Sequence, residues 1–165
     1  MQSSYERPVS GAVSAPETAY YLVFKLDNQN YAIAMEGVER VVRAFAPAPL
    51  PKGPASVSGL LNLHGRVIPL LNIRHIFGLP EKELAPQDYF IIAGGTQGPC
   101  AIPADLVPGL TGCRPDELMA SDAAIQGKYV ERVIKTREGL ILIFDPRRLP
   151  PGEEMNGGEI HGGPR

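Results

Sequence analysis

The side chains that could carry out chemistry are few in this sequence, and their spacing does not match a catalytic or metal-binding pattern. The three histidines are His64, His75 and His161, and no two of them share the spacing of a zinc site on a helix or strand. Ser56 and Ser58 lack the glycine frame of a nucleophile elbow. We therefore predict that the chain is not an enzyme and has no catalytic, metal-binding or cofactor-binding residues.

Two cysteines and one glycine-rich stretch are also better explained by structure than by chemistry. Twelve residues separate Cys100 from Cys113, which fits neither a zinc site nor a redox pair and predicts reduced thiols in the core. The stretch Gly94–Gly98 is followed by no lysine, which favours a hairpin turn over a phosphate-binding loop. Asp105 and Asp145 end predicted strands, where carboxylates commonly cap turns.

The block Gly59–Leu79 contains polar side chains at an otherwise apolar hairpin. Its two apolar strands are joined by the segment Asn62–Gly65, so that Asn62, His64 and Arg66 cluster at the turn. Polar groups beside apolar surface are typical of a docking site for another protein. A tight turn that needs the positive φ available to glycine explains the same residues without any function. The sequence alone leaves both interpretations open.

Composition and charge place the chain among globular proteins with many short elements. The sequence has 165 residues with 18 glycines and 17 prolines, and 44% of its residues are hydrophobic. This excludes a long-helix or coiled-coil protein but supplies enough apolar residues for a core. A formal net charge of −2 gives no electrostatic basis for binding nucleic acid. No signal peptide or membrane-spanning run is found, so we expect a cytoplasmic protein without direct membrane insertion.

The elements that must position these residues are predicted to be short strands. In Tyr20–Leu26, the side chains of Leu22, Phe24 and Leu26 share one face, which predicts a half-buried strand. A polar turn then leads to a second strand, forming a β-hairpin. The complete set of predicted strands is Tyr20–Leu26, Tyr31–Ala34, Val38–Ala44, Val57–Leu63, Arg66–Asn72, Tyr89–Ala93, Cys100–Val107, Tyr129–Thr136 and Leu140–Asp145. This spacing is typical of a barrel or a sandwich.

Helices are predicted only as short pieces, and both ends of the chain as flexible tails. One helix is expected over Ile73–Phe77 and a second over Asp116–Ala124, behind a proline at its start. Residues 1–18 lack periodicity, and the C-terminal segment is rich in glycine and proline. We therefore predict one domain over residues 19–149, with flexible tails over residues 1–18 and 150–165.

A weak internal repeat suggests that this domain has two similar halves. Tyr31–Val38 and Cys100–Val107 share alanine, isoleucine, an acidic residue and valine at matching positions. Gly65–Arg74 and Gly139–Arg147 share an initial glycine, an apolar run and a final Asn/Asp-x-Arg. Apolar strands match by chance often, but a real duplication would give two small barrels packed together.

The block that begins at Gly59 resembles the CheW family of bacterial adaptor proteins. The family pattern is G-x-x-N-x-R-G-x-x-x-P-x-x-D-L-R-x-x-F. The residues that match it with the same spacing are Gly59, Asn62, Gly65, Pro69, Arg74 and Phe77. Supporting similarity lies in Tyr20–Leu26, Ala101–Val107 and Leu140–Asp145. The resemblance covers about residues 18–149.

The resemblance implies an all-β fold of two packed five-stranded SH3-like barrels with short helices, and a function in binding rather than catalysis. CheW proteins couple chemoreceptors to the histidine kinase CheA, with the receptor tip in a groove between the barrels. The kinase regulatory domain binds at barrel ends. The partner-binding residues that the resemblance implies are Val38, Arg40, Gly59, Asn62, His64, Gly65, Val107 and Leu110.

Three residues depart from the family pattern. His64 occupies the position of the family arginine, Arg40 stands where an acidic residue is frequent, and Asn72 replaces an aspartate. Arginine offers a fixed fork of donors, whereas histidine offers one or two and is only partly charged near neutral pH. These departures favour a hypothesis in which the chain serves a divergent array. As an alternative, it is a CheW-like scaffold in a motility or developmental kinase pathway.

Overall fold

A computed structural model describes residues 17–150 of the chain as a mainly β structure. The predicted tails lie outside these residues, apart from residues 17, 18 and 150. The strands are β1 Ala19–Leu26, β2 Gln29–Ala34, β3 Val38–Arg43, β4 Val57–Leu63, β5 Arg66–Leu71, β6 Tyr89–Gly95, β7 Gly98–Ala104, β8 Leu106–Cys113, β9 Leu118–Ala120, β10 Arg132–Thr136 and β11 Gly139–Ile143. The helices are α1 Ile73–Phe77 and α2 Ala123–Gln126, and single 3-10 turns occupy Met35–Gly37, Pro115–Glu117 and Pro146–Arg148.

The strands form two sheets with the same internal order. The first sheet has the order β8-β1-β2-β11-β10-β9, and the second has the order β3-β6-β7-β5-β4. In the first sheet, β2 of the central hairpin β1–β2 pairs in parallel with β11 of the hairpin β10–β11. In the second sheet, β7 of the central hairpin β6–β7 pairs in parallel with β5 of the hairpin β4–β5. The repeat seen in the sequence therefore corresponds to a repeat in strand order, with two SH3-like subdomains.

Each subdomain receives one strand from the other half of the repeat, called its exchanged strand, and the segment after that strand closes the barrel. Strand β3 follows β2 in the chain but joins the second sheet, and β8 follows β7 but joins the first. After β3, Ala48 forms a bridge with Leu60 of β4, with both N–H···O distances at 2.8 Å. After β8, the short strand β9 pairs with β10 in the equivalent way. Two five-stranded barrels were predicted, and β9 is the sixth strand of the first sheet.

The largest apolar core lies between the two sheets. Strand β1 directs Leu22, Phe24 and Leu26 into this shared core, as the alternation predicts. Val23 on the opposite face is also buried, in the interior of the first subdomain. The prediction of a half-buried strand was therefore wrong, because a strand between two cores is covered on both faces.

Aromatic rings and a buried thiol also contribute to the shared core. The ring centroids of Phe77 on α1 and Phe144 after β11 are 5.0 Å apart in an edge-to-face arrangement, which joins the two halves of the repeat. Cys100 and Cys113 are both free and buried. Burial raises the pKa of the Cys100 thiol to about 12, so this thiol is protonated at neutral pH.

Two predicted elements were assigned the wrong structure. The strand predicted over Cys100–Val107 is two strands, β7 and β8, which Asp105 separates. The helix predicted over Asp116–Ala124 was wrong, since this stretch contains most of the 3-10 turn Pro115–Glu117, the strand β9 and the start of α2. Proline does begin a helical turn there, but backbone pairing with β10 then extends the chain. Helix α1 has the predicted bounds. The strand predicted over Tyr129–Thr136 begins only at Arg132, and other strand ends differ by one or two residues.

Candidate functional site

The β4–β5 turn is built by residues of the segment Asn62–Gly65, which the sequence marks as a turn. His64 and Gly65 have φ values of 52° and 84°, which are the left-handed conformations that a two-residue hairpin turn requires. The side-chain oxygen Oδ1 of Asn62 accepts a hydrogen bond from the Gly65 amide at 3.1 Å. Gly65 is exposed, and an added Cβ would meet nothing within 4 Å. The conformational explanation of Asn62 and Gly65 is therefore supported, whereas the His64 side chain lies exposed at the tip.

Gly59 has a structural role in the closure of the second subdomain. A Cβ at this position would lie 2.7 Å from the carbonyl oxygen of Ala48 and 3.1 Å from Cβ of Pro47. These are the residues that cross β4 to form the bridge at Leu60. Gly59 is buried, so it shapes the barrel and offers no side chain to a partner.

An ion-pair cluster connects strand β3 to the β4–β5 turn. Arg66, the first residue after the turn, donates a hydrogen bond from Nη2 to Oε2 of Glu39 on β3. Nε of Arg40 lies 3.8 Å from the same oxygen. Glu39 therefore lies within ion-pair distance of both Arg66 and Arg40 at the surface of the second subdomain. Because these side chains are well exposed, the ion pairs contribute little to stability and present charge to solvent.

Val38 and Val107 occupy equivalent positions in the two halves of the repeat. Each lies near the start of the strand that passes to the other sheet, β3 or β8, and each is partly buried against the shared core. Leu110 lies further along β8 with 57% of its surface exposed. It lines a cavity of about 470 Å³ on the first subdomain, together with Lys25 and Asn30.

The eight predicted partner-binding residues therefore lie in three places. Arg40 lies beside the Glu39–Arg66 pair of the second subdomain. Asn62, His64 and Gly65 belong to the β4–β5 turn that precedes Arg66, and Gly59 is buried on β4. The valines flank the shared core, and Leu110 lines the outer cavity. None of the contacts among the described residues brings all eight into one pocket, so their common role stays a prediction.

Sequence reasoning missed the main polar cluster between the subdomains, which is centred on Arg74. This side chain is only 10% exposed. Its Nη1 lies 3.0 Å from Oδ2 of Asp27, and its Nη2 lies 3.0 Å from Oδ2 of Asp105. Lys82 Nζ lies 3.3 Å from Oδ1 of Asp105. The cluster joins the β1–β2 turn, the β7–β8 junction and the loop after α1.

Asp105 was expected to cap a turn, and the structure gives it a larger role. Its Oδ2 accepts a hydrogen bond from the Asp27 amide at 2.7 Å, while its own N–H donates to the Lys25 carbonyl. Burial by itself raises the pKa of Asp105, but the Asp27 hydrogen bond and the charges of Lys82 and Arg74 outweigh it. The pKa lies below its ordinary value, so the carboxylate is ionised and clamps the junction.

Neither a metal site nor a membrane span is found in the part of the chain that the structure describes. Among residues 17–150, no group of three or more His, Cys, Asp or Glu side chains is arranged to hold a metal ion. The helices in this range are too short to cross a bilayer.

Comparison with known families decides which fold family this geometry represents. The family model of the CheW-like domain matches residues 20–153 of this chain. The chain belongs to the CheW-like domain family. Its two sheets of equal order, its exchanged strands and its shared core are therefore features of a CheW-like domain.

Individual relatives and a solved structure agree with this assignment. The chain is 25% identical over 158 residues to the chemotaxis protein CheW of Treponema pallidum, with 92% of each chain covered. It is 28% identical over 125 residues to CheW of Thermotoga maritima, covering 75% of this chain and 82% of that protein. The fold resembles the crystal structure of the scaffolding protein TtCheW from Thermoanaerobacter tengcongensis, with a TM-score of 0.72 and 21% identity. The match covers 81% of this chain and 88% of that one.

Proposed function

We propose that this CheW-like domain is a non-enzymatic adaptor that couples the cytoplasmic tip of a chemoreceptor to the regulatory domain of a CheA-type histidine kinase. Family membership and fold support a chemotaxis coupling adaptor. In this proposal the domain acts at receptor arrays through contact with the receptor and the kinase.

The observation that carries the proposal is the equivalent placement of Val38 and Val107 beside the shared core. Both side chains are partly buried, so they offer apolar surface at the junction of two rigid subdomains. A receptor tip is an amphipathic helical hairpin, and such helices dock their apolar face into grooves with a few polar guides. Arg40 and His64 are the polar guides in this proposal.

The test is binding of the full chain to the receptor tip and, separately, to the kinase regulatory domain encoded in the same genome. We expect both to bind the unmodified chain. Replacement of Leu110 by serine removes an exposed leucine from the first subdomain and is expected to weaken one of the two interactions at least five-fold. Leu140→Ser is the matched control, because Leu140 is an exposed leucine on β11 of the same sheet.

Two outcomes would argue against this proposal. Absence of binding to both partners by the unmodified chain contradicts the adaptor function. Equal binding by the Leu110 and Leu140 variants would remove Leu110 from the interface. If instead the chain binds a kinase of a motility or developmental pathway and not the chemotaxis kinase, the alternative of a divergent scaffold is supported.

A further inference from the structure

The internal repeat creates two equivalent clefts, and among the described residues only one of them holds an arginine buried between two carboxylates. The first cleft lies beside the turn after β5, which begins with the capping residue Asn72 and has Arg74 two residues later. The second cleft lies beside the turn after β11, which begins with the capping residue Asp145 and has Arg147 two residues later. Each cleft thus has its own arginine in the same position.

The acidic residues of the two clefts also correspond. Asp105 lies between β7 and the exchanged strand β8, and Glu36 lies between β2 and the exchanged strand β3. The alignment of Tyr31–Val38 with Cys100–Val107 places these two acids at the same position of the repeat. In the first cleft, the guanidinium of Arg74 is buried between Asp105 and Asp27.

The second cleft lacks this internal cation. The position equivalent to Asp27, the first residue of the hairpin turn, is Thr96 in the β6–β7 turn. Its Oγ1 lies 3.0 Å from the carbonyl oxygen of Arg147 and 2.9 Å from that of Leu149, so its single proton is shared between these two acceptors. The Arg147 side chain also lines the second cleft, but it pairs with Asp145 at 2.8 Å and is 72% exposed. The arginine of the second cleft is therefore engaged by Asp145.

What remains is an open cleft of about 380 Å³ between the two subdomains. The charged and hydroxyl side chains along it are Tyr21, Glu36, Glu131, Arg132, Asp145 and Arg147. Within residues 17–150, Glu36 forms no ion pair. Oε2 of Glu131 is buried and lies 3.2 Å from Nε of Arg148, but it receives no hydrogen bond of proper geometry from a described residue. Two carboxylates in the cleft therefore have unused acceptor capacity.

We propose that this cleft binds a basic side chain, an arginine guanidinium, of a protein partner. The guanidinium would take the place that Arg74 fills in the equivalent cleft and accept Glu36 as its main counter-ion, with Glu131 as a second acceptor. None of the eight residues predicted for receptor and kinase binding lines this cleft. The inference thus goes beyond the proposed function and concerns a separate contact surface.

A cation fits the cleft better than an anion, although Arg132 also lines it. Arg132 forms no ion pair among the described residues and would attract an anion. The equivalent cleft, however, holds a cation against the counterpart of Glu36.

The test is a titration of the full chain with ethylguanidinium chloride, followed by the amide NMR signals of Gly37 and Gly94, which line the cleft. We expect saturable shifts at both amides with a dissociation constant in the millimolar range, as a few charge-assisted hydrogen bonds allow. Glu36→Gln should weaken binding at least five-fold. Glu138→Gln, which removes an exposed acid of the β10–β11 turn that does not line the cleft, should leave it unchanged.

Sodium acetate at the same ionic strength forms the second arm. Shifts at Gly37 and Gly94 with acetate that disappear in Arg132→Gln, and none with ethylguanidinium, would overturn the proposal in favour of an anion site. No shift with ethylguanidinium, or an equal shift in Glu36→Gln, would overturn it as well. Binding of the receptor tip and the kinase domain is measured independently, so failure here is distinguishable from failure of the adaptor function.

Discussion

At the scale of single residues, Gly59 connects the family pattern to the closure of a barrel. An alanine methyl group would lie 2.7 Å from the Ala48 carbonyl oxygen, a backbone atom that cannot move without breaking the bridge to Leu60. We expect Gly59→Ala to lower the free energy of unfolding by about 2 kcal/mol, the usual cost of overpacking, as measured by chemical denaturation.

Gly94→Ala is the matched control for this change. Gly94 also lies in a strand of the second sheet, but a Cβ there would meet nothing within 4 Å. Its substitution should therefore change the free energy of unfolding by less than that of Gly59. Equal effects of the two substitutions would contradict the close approach as the reason for glycine at position 59.

His64 is the residue at which a departure from the family pattern has the clearest predicted consequence. Its side chain is exposed at the tip of the turn, and its backbone φ is 52°. Replacement by arginine restores a fork of donors that can bind a carboxylate with two hydrogen bonds. We expect His64→Arg to tighten receptor binding several-fold, measured by calorimetric titration with the receptor tip.

His75→Arg is the control for added charge. His75 is an exposed histidine on α1, away from the predicted guides. It should leave receptor affinity unchanged. Unchanged affinity in His64→Arg, with the thermal transition preserved, would count against a role of His64 in the groove.

At the scale of elements, the Arg74 cluster determines how the hairpins and the crossing strands are joined. Asp105 contributes to it in the ionised form, since its pKa in the folded state lies below the ordinary value. This contribution is complete above the unfolded pKa, near pH 4, and is lost as the pH falls through the folded pKa.

We therefore expect Asp105→Asn to reduce the free energy of unfolding at pH 7 by about 1.5–3 kcal/mol, the range for hydrogen bonds to charged groups. The difference between Asp105→Asn and the unmodified chain should shrink progressively as the pH falls from about 4 toward the lower folded-state pKa of Asp105. Urea denaturation at pH 7 and pH 3 measures it. A Glu138→Gln control should show no such pH dependence, and a constant difference for Asp105→Asn would contradict the charge-based explanation.

The elements that the sequence predicted correctly are those whose pattern is local. Strand β4 and helix α1 have the predicted bounds, because alternation, the capping Asn72 and the terminal Gly78 act within a few residues. Strand β8 was not recognised as a separate strand. It contains Pro108 and two glycines, and these residues are tolerated because β8 lies at the edge of its sheet.

The functional residues show the same limit. The turn at Gly65 could be predicted, since positive φ at a hairpin turn is a local requirement. The Arg74 cluster could not, because its partners Asp27 and Asp105 are 47 and 31 residues away in sequence. The sequence signals for this cluster were Arg74 in the family pattern and Asp105 as a lone acid at a strand end, and neither signal indicates which residue the side chain contacts.

At the scale of the whole molecule, the duplicated strand order explains the shared core and the presence of two equivalent clefts. The exchange of β3 and β8 between the sheets couples the subdomains into one unit with two equivalent junctions. At one junction Arg74 is buried between Asp27 and Asp105, whereas at the other Arg147 is exposed and pairs with Asp145.

The most direct test of the adaptor function is the rate of kinase autophosphorylation in a reconstituted mixture of receptor, CheA-type kinase and this chain. We expect the receptor to change the kinase rate only when the chain is present, because the chain bridges the two. We also expect the change to fall in Leu110→Ser and to persist in Leu140→Ser. A kinase rate that responds to the receptor equally with and without the chain would contradict the account.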